Sequence, residues 1–181
     1  INSNKPIIIY GMGNGADKVL ALFEKYGIKC SGVMASDDFV RGQRYKAFTV
    51  QRLAYFEEKY GEIIIAVAFG TQIDTVIEHI KTLAEKHTVI VPNVPVYGDE
   101  IFDDEFLRTN KDKIEATYNL LSDSRSKQVL EYGIRFYYTG RLEYLFKITD
   151  EKDEIFNSVL CLNNNESYID LGAYRGDTID E

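Results

Sequence analysis

The stretch PIIIYGMGNGADKVLALFEKYG, residues 6–27, sets the architecture of this chain. It begins with a short run of mostly β-branched apolar residues, which predicts a strand buried on both faces. Closely spaced glycines follow, and an amphipathic segment at residues 16–26 then predicts a helix that ends at Gly27. This order of strand, glycine turn and helix is typical of the opening unit of a nucleotide-type α/β sheet.

Strands and helices continue to alternate after Gly27. Further strands are predicted at residues 28–35, 62–69 and 88–91, and helices at residues 50–60 and 72–86. A polar loop is predicted at residues 39–48, and Thr49 is expected to cap the helix that follows it. The alternation predicts a doubly wound, Rossmann-like parallel sheet with helices on both faces and right-handed crossovers.

The pattern changes after Pro92 and becomes mainly helical. Helices are predicted at about residues 104–121, 124–138 and 141–147. Asp103 and either Ser122 or Asp123 are the expected N-caps. Phe and Tyr side chains are dense in this part. We expect them to join the helices to one another or to the sheet, the alternative being a face that packs on a further domain.

The first glycine turn is a candidate binding site. Gly11, Gly13 and Gly15 would let the backbone approach a phosphate, while the helix N-terminus supplies donors and the positive end of its dipole. Asp37, at the end of the second predicted strand, is placed to accept hydrogen bonds from a ribose or sugar hydroxyl. The spacing departs from the G-x-G-x-x-G of dinucleotide sites, so a nucleotide or nucleotide sugar, NAD and a purely structural turn all stay open.

Two other segments are expected near this turn. Gly70, Thr71 and Gln72 follow the third strand of the predicted sheet, and they either line the same crevice or simply begin a helix. Arg41, Arg44 and Lys46 form a small basic loop that either meets a phosphate or is solvated.

A second glycine turn lies in YIDLGAYRGDT, residues 168–178. Here Asp170 lies on the predicted strand, before the glycines, where a carboxylate can meet the α-ammonium group of S-adenosylmethionine. This stretch resembles the first motif of class I S-adenosylmethionine-dependent methyltransferases, in particular those of the FkbM family. GRLEYLF (residues 140–146) and FDDEFLRTNKDKIEATYNLLSD (residues 102–123) resemble the aromatic-rich connector of family members that carry an additional N-terminal sheet domain.

The resemblance implies a cofactor motif made of Asp170, Gly172, Ala173, Gly176 and Asp177. It implies a full-length protein that transfers a methyl group from S-adenosylmethionine to an oxygen of a sugar or another small hydroxylated metabolite. The ribose-binding acid and any catalytic residue would lie beyond Glu181. We therefore expect a chain cut from a longer protein, which lacks the rest of its C-terminal methyltransferase domain, has no activity alone and does not bind the cofactor tightly.

Three parts are predicted: a Rossmann-like α/β domain at residues 1–100, a helical connector at residues 101–166 and the start of a methyltransferase domain at residues 167–181. Two other classes of function stay open. One is a non-catalytic module that binds a nucleotide or nucleotide sugar at the first glycine turn. The other is a fragment of an NAD-dependent oxidoreductase.

Composition excludes some classes of protein. The net charge of −8 argues against a general nucleic-acid binder. No apolar run approaches the ~18 residues of a membrane span, and no signal-peptide pattern is present, so a cytoplasmic location is expected. Cys30 and Cys161 are expected to be buried, reduced thiols. His79 and His87 are each expected to be solvated or to favour a helix C-terminus. Neither has a metal-ligand partner at useful spacing, so no metal site is predicted, and oligomerisation stays open.

Overall fold

The computed structural model describes residues 4–95, 100–167, 169 and 171. One compact unit runs to Ile148 and a second begins at Thr149. In chain order the first unit contains β1 (Ile7–Tyr10), α1 (Asn14–Lys25), β2 (Cys30–Met34), β3 (Arg44–Tyr45), β4 (Phe48–Thr49), α2 (Leu53–Tyr60), β5 (Ile64–Val67), α3 (Asp74–Lys86), β6 (Thr88–Ile90), α4 (Asp104–Thr109), α5 (Lys111–Leu120), α6 (Ser124–Thr139) and α7 (Leu142–Phe146).

Four of these strands form one parallel sheet in the order β2-β1-β5-β6. Every residue of β1 is buried, because helices cover the sheet on both faces. Ile7 and Ile9 pack with α1 on one face, whereas Ile8 and Tyr10 pack with α2 and α3 on the other. The alternation follows from the two-residue repeat of a strand. The predicted α/β class and parallel sheet are confirmed.

Helices α6 and α7 also pack on this sheet. The N–H of Val91, just after β6, donates to the carbonyl of Gly140 at 2.8 Å, and Ile90 forms a bridge with Arg141. Leu142 is then buried in the layer that contains α2 and α3. The compact unit that holds the sheet therefore includes helices of the predicted connector.

The segment predicted as a polar loop at residues 39–48 is more ordered than expected. A 3₁₀ turn at Asp37–Phe39 precedes the antiparallel pair β3 and β4. Tyr45 and Phe48 are half-buried against the α1 layer, and this tertiary packing stabilises two strands too short to be recognised from their own pattern. Thr49 belongs to β4 and does not cap a helix, because α2 begins later, at Leu53.

The helix predicted at residues 104–121 is two helices, α4 and α5, divided at Asn110. Its side-chain amide donates to the carbonyl of Phe106 at 3.0 Å, a local hydrogen bond that competes with helix propagation. The predicted caps are confirmed: Asp103 accepts from the N–H groups of Glu105 and Phe106, and Asp123 accepts from the N–H of Ser126.

The second unit contains α8 (Lys152–Glu154) and a π-helical turn at Ile155–Val159. Its described side chains are exposed, including that of Cys161. The expectation of a buried thiol is therefore wrong for Cys161. The reason is that so short a helical segment cannot form a hydrophobic core of its own. Cys30, in the first unit, is half-buried, and this burial raises the pKa of its thiol.

His87 lies at the C-terminus of α3, which is one of the two alternatives that the sequence left open for it, but its side chain is buried and not solvated. Its Nε2 lies 3.0 Å from Oε1 of Glu57, and the N–H of Ile63 donates to its Nδ1 at 3.5 Å. Lys86 donates to the same oxygen of Glu57 at 2.6 Å. The hydrogen bonds from Lys86 and, second, from His87 lower the pKa of Glu57. This contact joins α2 to the end of α3.

We predict that Glu57→Gln lowers the free energy of unfolding at neutral pH and that its difference from the wild type narrows in acid. A lowered folded-state pKa stabilises the protein above the unfolded-state value for Glu, about 4.3, and this stabilisation is lost as the pH falls through the folded-state pKa. Urea denaturation at a series of pH values measures the difference. Glu58→Gln is the matched control, because it removes the same charge from an exposed neighbour; an equal effect of both variants would contradict the role of the Glu57 contact.

Candidate functional site

The first glycine turn joins β1 to α1. The backbone conformation at position 11 of this turn favours glycine. The φ of Gly11 is +122°, a conformation that residues with a Cβ rarely adopt. Its N–H donates to the carbonyl of Met34 at 3.0 Å, which connects the turn to the end of β2. Gly11 therefore turns the chain away from the sheet and toward α1.

Gly15 and Gly13 have different roles from Gly11 and from each other. A Cβ on Gly15 would lie 2.0 Å from the carbonyl oxygen of Ala68, so the first turn of α1 rests directly on the chain that leaves β5. Gly13 has an extended backbone, with φ of −157°, and a Cβ there would meet nothing within 4 Å. Neither backbone conformation nor packing requires glycine at Gly13, which faces open space.

The N-terminus of α1 has no side-chain cap. Its N-cap residue is Gly13, which has no side chain that could accept from the first-turn N–H groups. Those groups also lack acceptors within the helix, and the helix dipole places its positive end there. Such a terminus is suited to an anion such as a phosphate.

A cleft of about 440 Å³ opens at this terminus. It is lined by Gly11, Met12, Gly13, Asn14, Gly15, Lys18, Ala68, Phe69, Gly70 and Val94. The cleft lies at the carboxyl ends of β1 and β5, where the strand order reverses: the chain leaves β1 for β2 on one side and later returns to β5 on the other. In open α/β sheets ligands bind at this kind of position.

Lys18 adds a positive charge to the cleft. It lies one turn into α1, and its Nζ donates to the carbonyl of Pro95 at 2.6 Å. The loop after β6 is thereby held beside the cleft. Lys18 was not predicted from the sequence, although a lysine on the first turns of a helix that follows a glycine turn is a recognisable signal.

The hairpin of β3 and β4 occupies the other side of the α1 terminus. Tyr45 donates to Asp17 at 2.7 Å, and the Nζ of Lys46 lies 2.8 Å from the same carboxylate oxygen. Hydrogen bonds from Lys46 and, second, from Tyr45 lower the pKa of Asp17. Burial and the bond to Asp17 raise the pKa of Tyr45. The sequence indicated Arg41, Arg44 and Lys46 as residues that could contact a phosphate. In the structure Lys46 is paired with the Asp17 carboxylate, while Arg41 and Arg44 are exposed.

Asp37 is not among the residues that line the cleft. Its side chain is 72% exposed and its Oδ1 lies 4.0 Å from Nε of Arg52. The structure thus brings Gly11, Gly13 and Gly15 together in one cleft without the Asp37 carboxylate. Gly70 does line the cleft, whereas the hydroxyl of Thr71 accepts from the N–H of Ile73 at the start of α3.

The residues of the second glycine turn, Asp170, Gly172, Ala173, Gly176 and Asp177, lie outside the described residues. Within the part of the chain that the structure describes, no group of three or more His, Cys, Asp or Glu side chains is placed to hold a metal ion. In the same part, none of the helices has the length and apolar character that a membrane crossing requires. No model of a known protein family, no curated protein and no solved structure matches the chain.

We predict that Gly15→Ala destabilises the first unit by about 2 kcal/mol or more, because the new Cβ would collide with a backbone oxygen that cannot move alone. Gly13→Ala, two residues away, should cost less than about 1 kcal/mol, the usual effect of an exposed N-cap position. Urea denaturation of both variants followed by circular dichroism tests this difference. Equal stability of the two variants would show that α1 does not rest on Ala68.

Proposed function

We propose that the first unit binds a nucleotide or a nucleotide sugar through its phosphate groups, at the cleft above Gly13. The observation that carries the proposal is the uncapped N-terminus of α1, which faces open space in a cleft that Lys18 also lines. Backbone N–H groups, a helix dipole and an ammonium group there all favour negative charge.

Binding without catalysis is the function that this cleft supports best. Among the residues that the structure describes, those that line the cleft include no histidine, cysteine or carboxylate. General acid–base and nucleophilic catalysis usually depend on such side chains. The order of the four parallel strands along the sheet, second-first-third-fourth, also supports the finer proposal of a doubly wound, Rossmann-like fold, in which ligands lie at the strand-order reversal.

The proposal predicts a specific effect of Gly13→Asp on binding. An aspartate at an N-cap accepts from the first-turn N–H groups and repels a phosphate, while it preserves or improves the stability of the helix. We expect Gly13→Asp to weaken binding about tenfold or more relative to Gly13→Ala, the matched control for the added Cβ. Isothermal titration calorimetry with UDP-glucose, ADP and NAD measures the affinities.

The outcomes separate the alternatives. Equal loss of binding in Gly13→Asp and Gly13→Ala would contradict a role for the helix terminus. Binding of NAD but neither of the other two compounds would favour the oxidoreductase alternative. Failure of all three compounds to bind the wild type would leave the glycine turn with a structural role only.

A second proposal concerns the full-length protein. The stretch YIDLGAYRGDT supports an S-adenosylmethionine-dependent methyltransferase of the FkbM type, which would methylate an oxygen of a small hydroxylated substrate. Such an enzyme mainly positions the sulfonium methyl group against a nucleophilic oxygen. The support is the sequence motif alone. In this proposal the first unit is the N-terminal module of a cytoplasmic enzyme.

This second proposal predicts the sequence encoded after Glu181. A helix and then an apolar strand that ends in Asp or Glu should follow, with that acid roughly 20 residues on, by analogy with the ribose-binding acid of other nucleotide folds. Sequencing the parent gene past this codon tests it. A stop codon directly after Glu181 would overturn the methyltransferase proposal and leave the binding proposal unaffected.

A further inference from the structure

An apolar groove lies beside the cleft, on the side of β6. Its volume is about 270 Å³. It is lined by Gly15, Val19, Val67, Ala68, Phe69, Gly70, Val91, Pro92, Asn93, Val94, Phe136 and Tyr137. The loop after β6 forms one wall and α6 forms another, which explains why no local sequence pattern indicated it.

The groove is continuous with the cleft. Five residues line both depressions: Gly15, Ala68, Phe69, Gly70 and Val94. One end of this continuous surface therefore has the uncapped helix terminus and Lys18, and the other end is apolar. A ligand that fills both ends has a charged part and an apolar part.

The walls of the groove suit a flat ring. Phe69 is held edge-on against Tyr10, with ring centroids 5.0 Å apart at 87°, and the ring of Tyr137 lies 5.7 Å from that of Phe102. Of the described residues that line the groove, Asn93 and Tyr137 are the ones with polar side chains. A sugar ring, with hydroxyls all around it, would leave several of them without hydrogen-bond partners here. A heteroaromatic base needs apolar contact on its faces and a few polar groups at its edge.

We infer that this groove holds the base of a nucleotide whose phosphate lies at the α1 terminus. The inference rests on the proposed function and specifies it further. It places the base over the carboxyl ends of β5 and β6. The sequence predicted that the ribose would bind near Asp37, beside β2. The base is placed at the other edge of the sheet, beside β6.

Matched ligands test the inference in the intact chain. AMP and UMP each differ from ribose 5-phosphate by the presence of a base. We expect at least one of the two nucleotides to bind the wild type about tenfold or more tightly than ribose 5-phosphate, because stacking of a base on aromatic side chains strengthens binding. Calorimetric titration of the three compounds measures this ratio.

Variants locate the base. Tyr137→Ala and Asn93→Ala should each reduce the preference for the nucleotide and leave the affinity for ribose 5-phosphate unchanged. Tyr138→Ala is the matched control, since Tyr138 is the next residue of α6, donates to Asp104 at 2.6 Å and does not line the groove. It should leave both affinities unchanged. Circular dichroism checks that each variant is folded.

The outcomes distinguish a failure of the base site from a failure of the phosphate site. If ribose 5-phosphate binds the wild type as tightly as both nucleotides, and Gly13→Asp weakens all three, the base site is overturned and the phosphate site stands. If the preference for a nucleotide persists in both groove variants, the base lies elsewhere and the inference is wrong. If none of the three compounds binds the wild type, the base site is overturned, and the titrations with UDP-glucose, ADP and NAD decide whether the phosphate site stands.

Discussion

The contact between Gly15 and the carbonyl oxygen of Ala68 is the constraint on which the arrangement of the first unit depends. It allows α1 to begin directly against the end of β5, at a distance that any Cβ would prevent. The N-terminus of α1 is thereby placed at the reversal of strand order. The cleft and the apolar groove both include residues on the two sides of this contact. The lack of a side chain at Gly15 therefore determines where the N-terminus of α1 lies.

Much of the fold was predictable because it depends on local patterns. Buried parallel strands are continuous apolar runs and covering helices have one apolar face, and both signals are present in the first ninety residues. Caps such as Asp103 were also predictable, because the acceptor and its donors lie within three residues. The short β3–β4 hairpin and the burial of His87 were not, since both depend on contacts with distant segments.

The site was only partly predictable for the same reason. The three glycines of the first turn look equivalent in the sequence, yet their roles differ according to what lies opposite each one. Asp37 has a suitable position along the chain, but its carboxylate is directed to Arg52 and solvent. The net charge of the chain does not indicate the site either. It is −8, whereas the positive end of the α1 dipole favours negative charge. The charge of Lys46 adds little at this helix terminus, because Lys46 forms an ion pair with Asp17.

The main-chain bridges at the two outer strands have a consequence for self-association. In the four-stranded sheet β2 and β6 are the edge strands, and an open edge is a template on which another chain can add a strand and aggregate. Gln51 pairs with the end of β2 by donating to Val33 and accepting from Ala35, and the segment at Gly140 and Arg141 pairs with the end of β6. Each edge is thus covered at its carboxyl end by the protein's own backbone. The unit can present an open cleft at that end of the sheet without also presenting a surface for fibril growth.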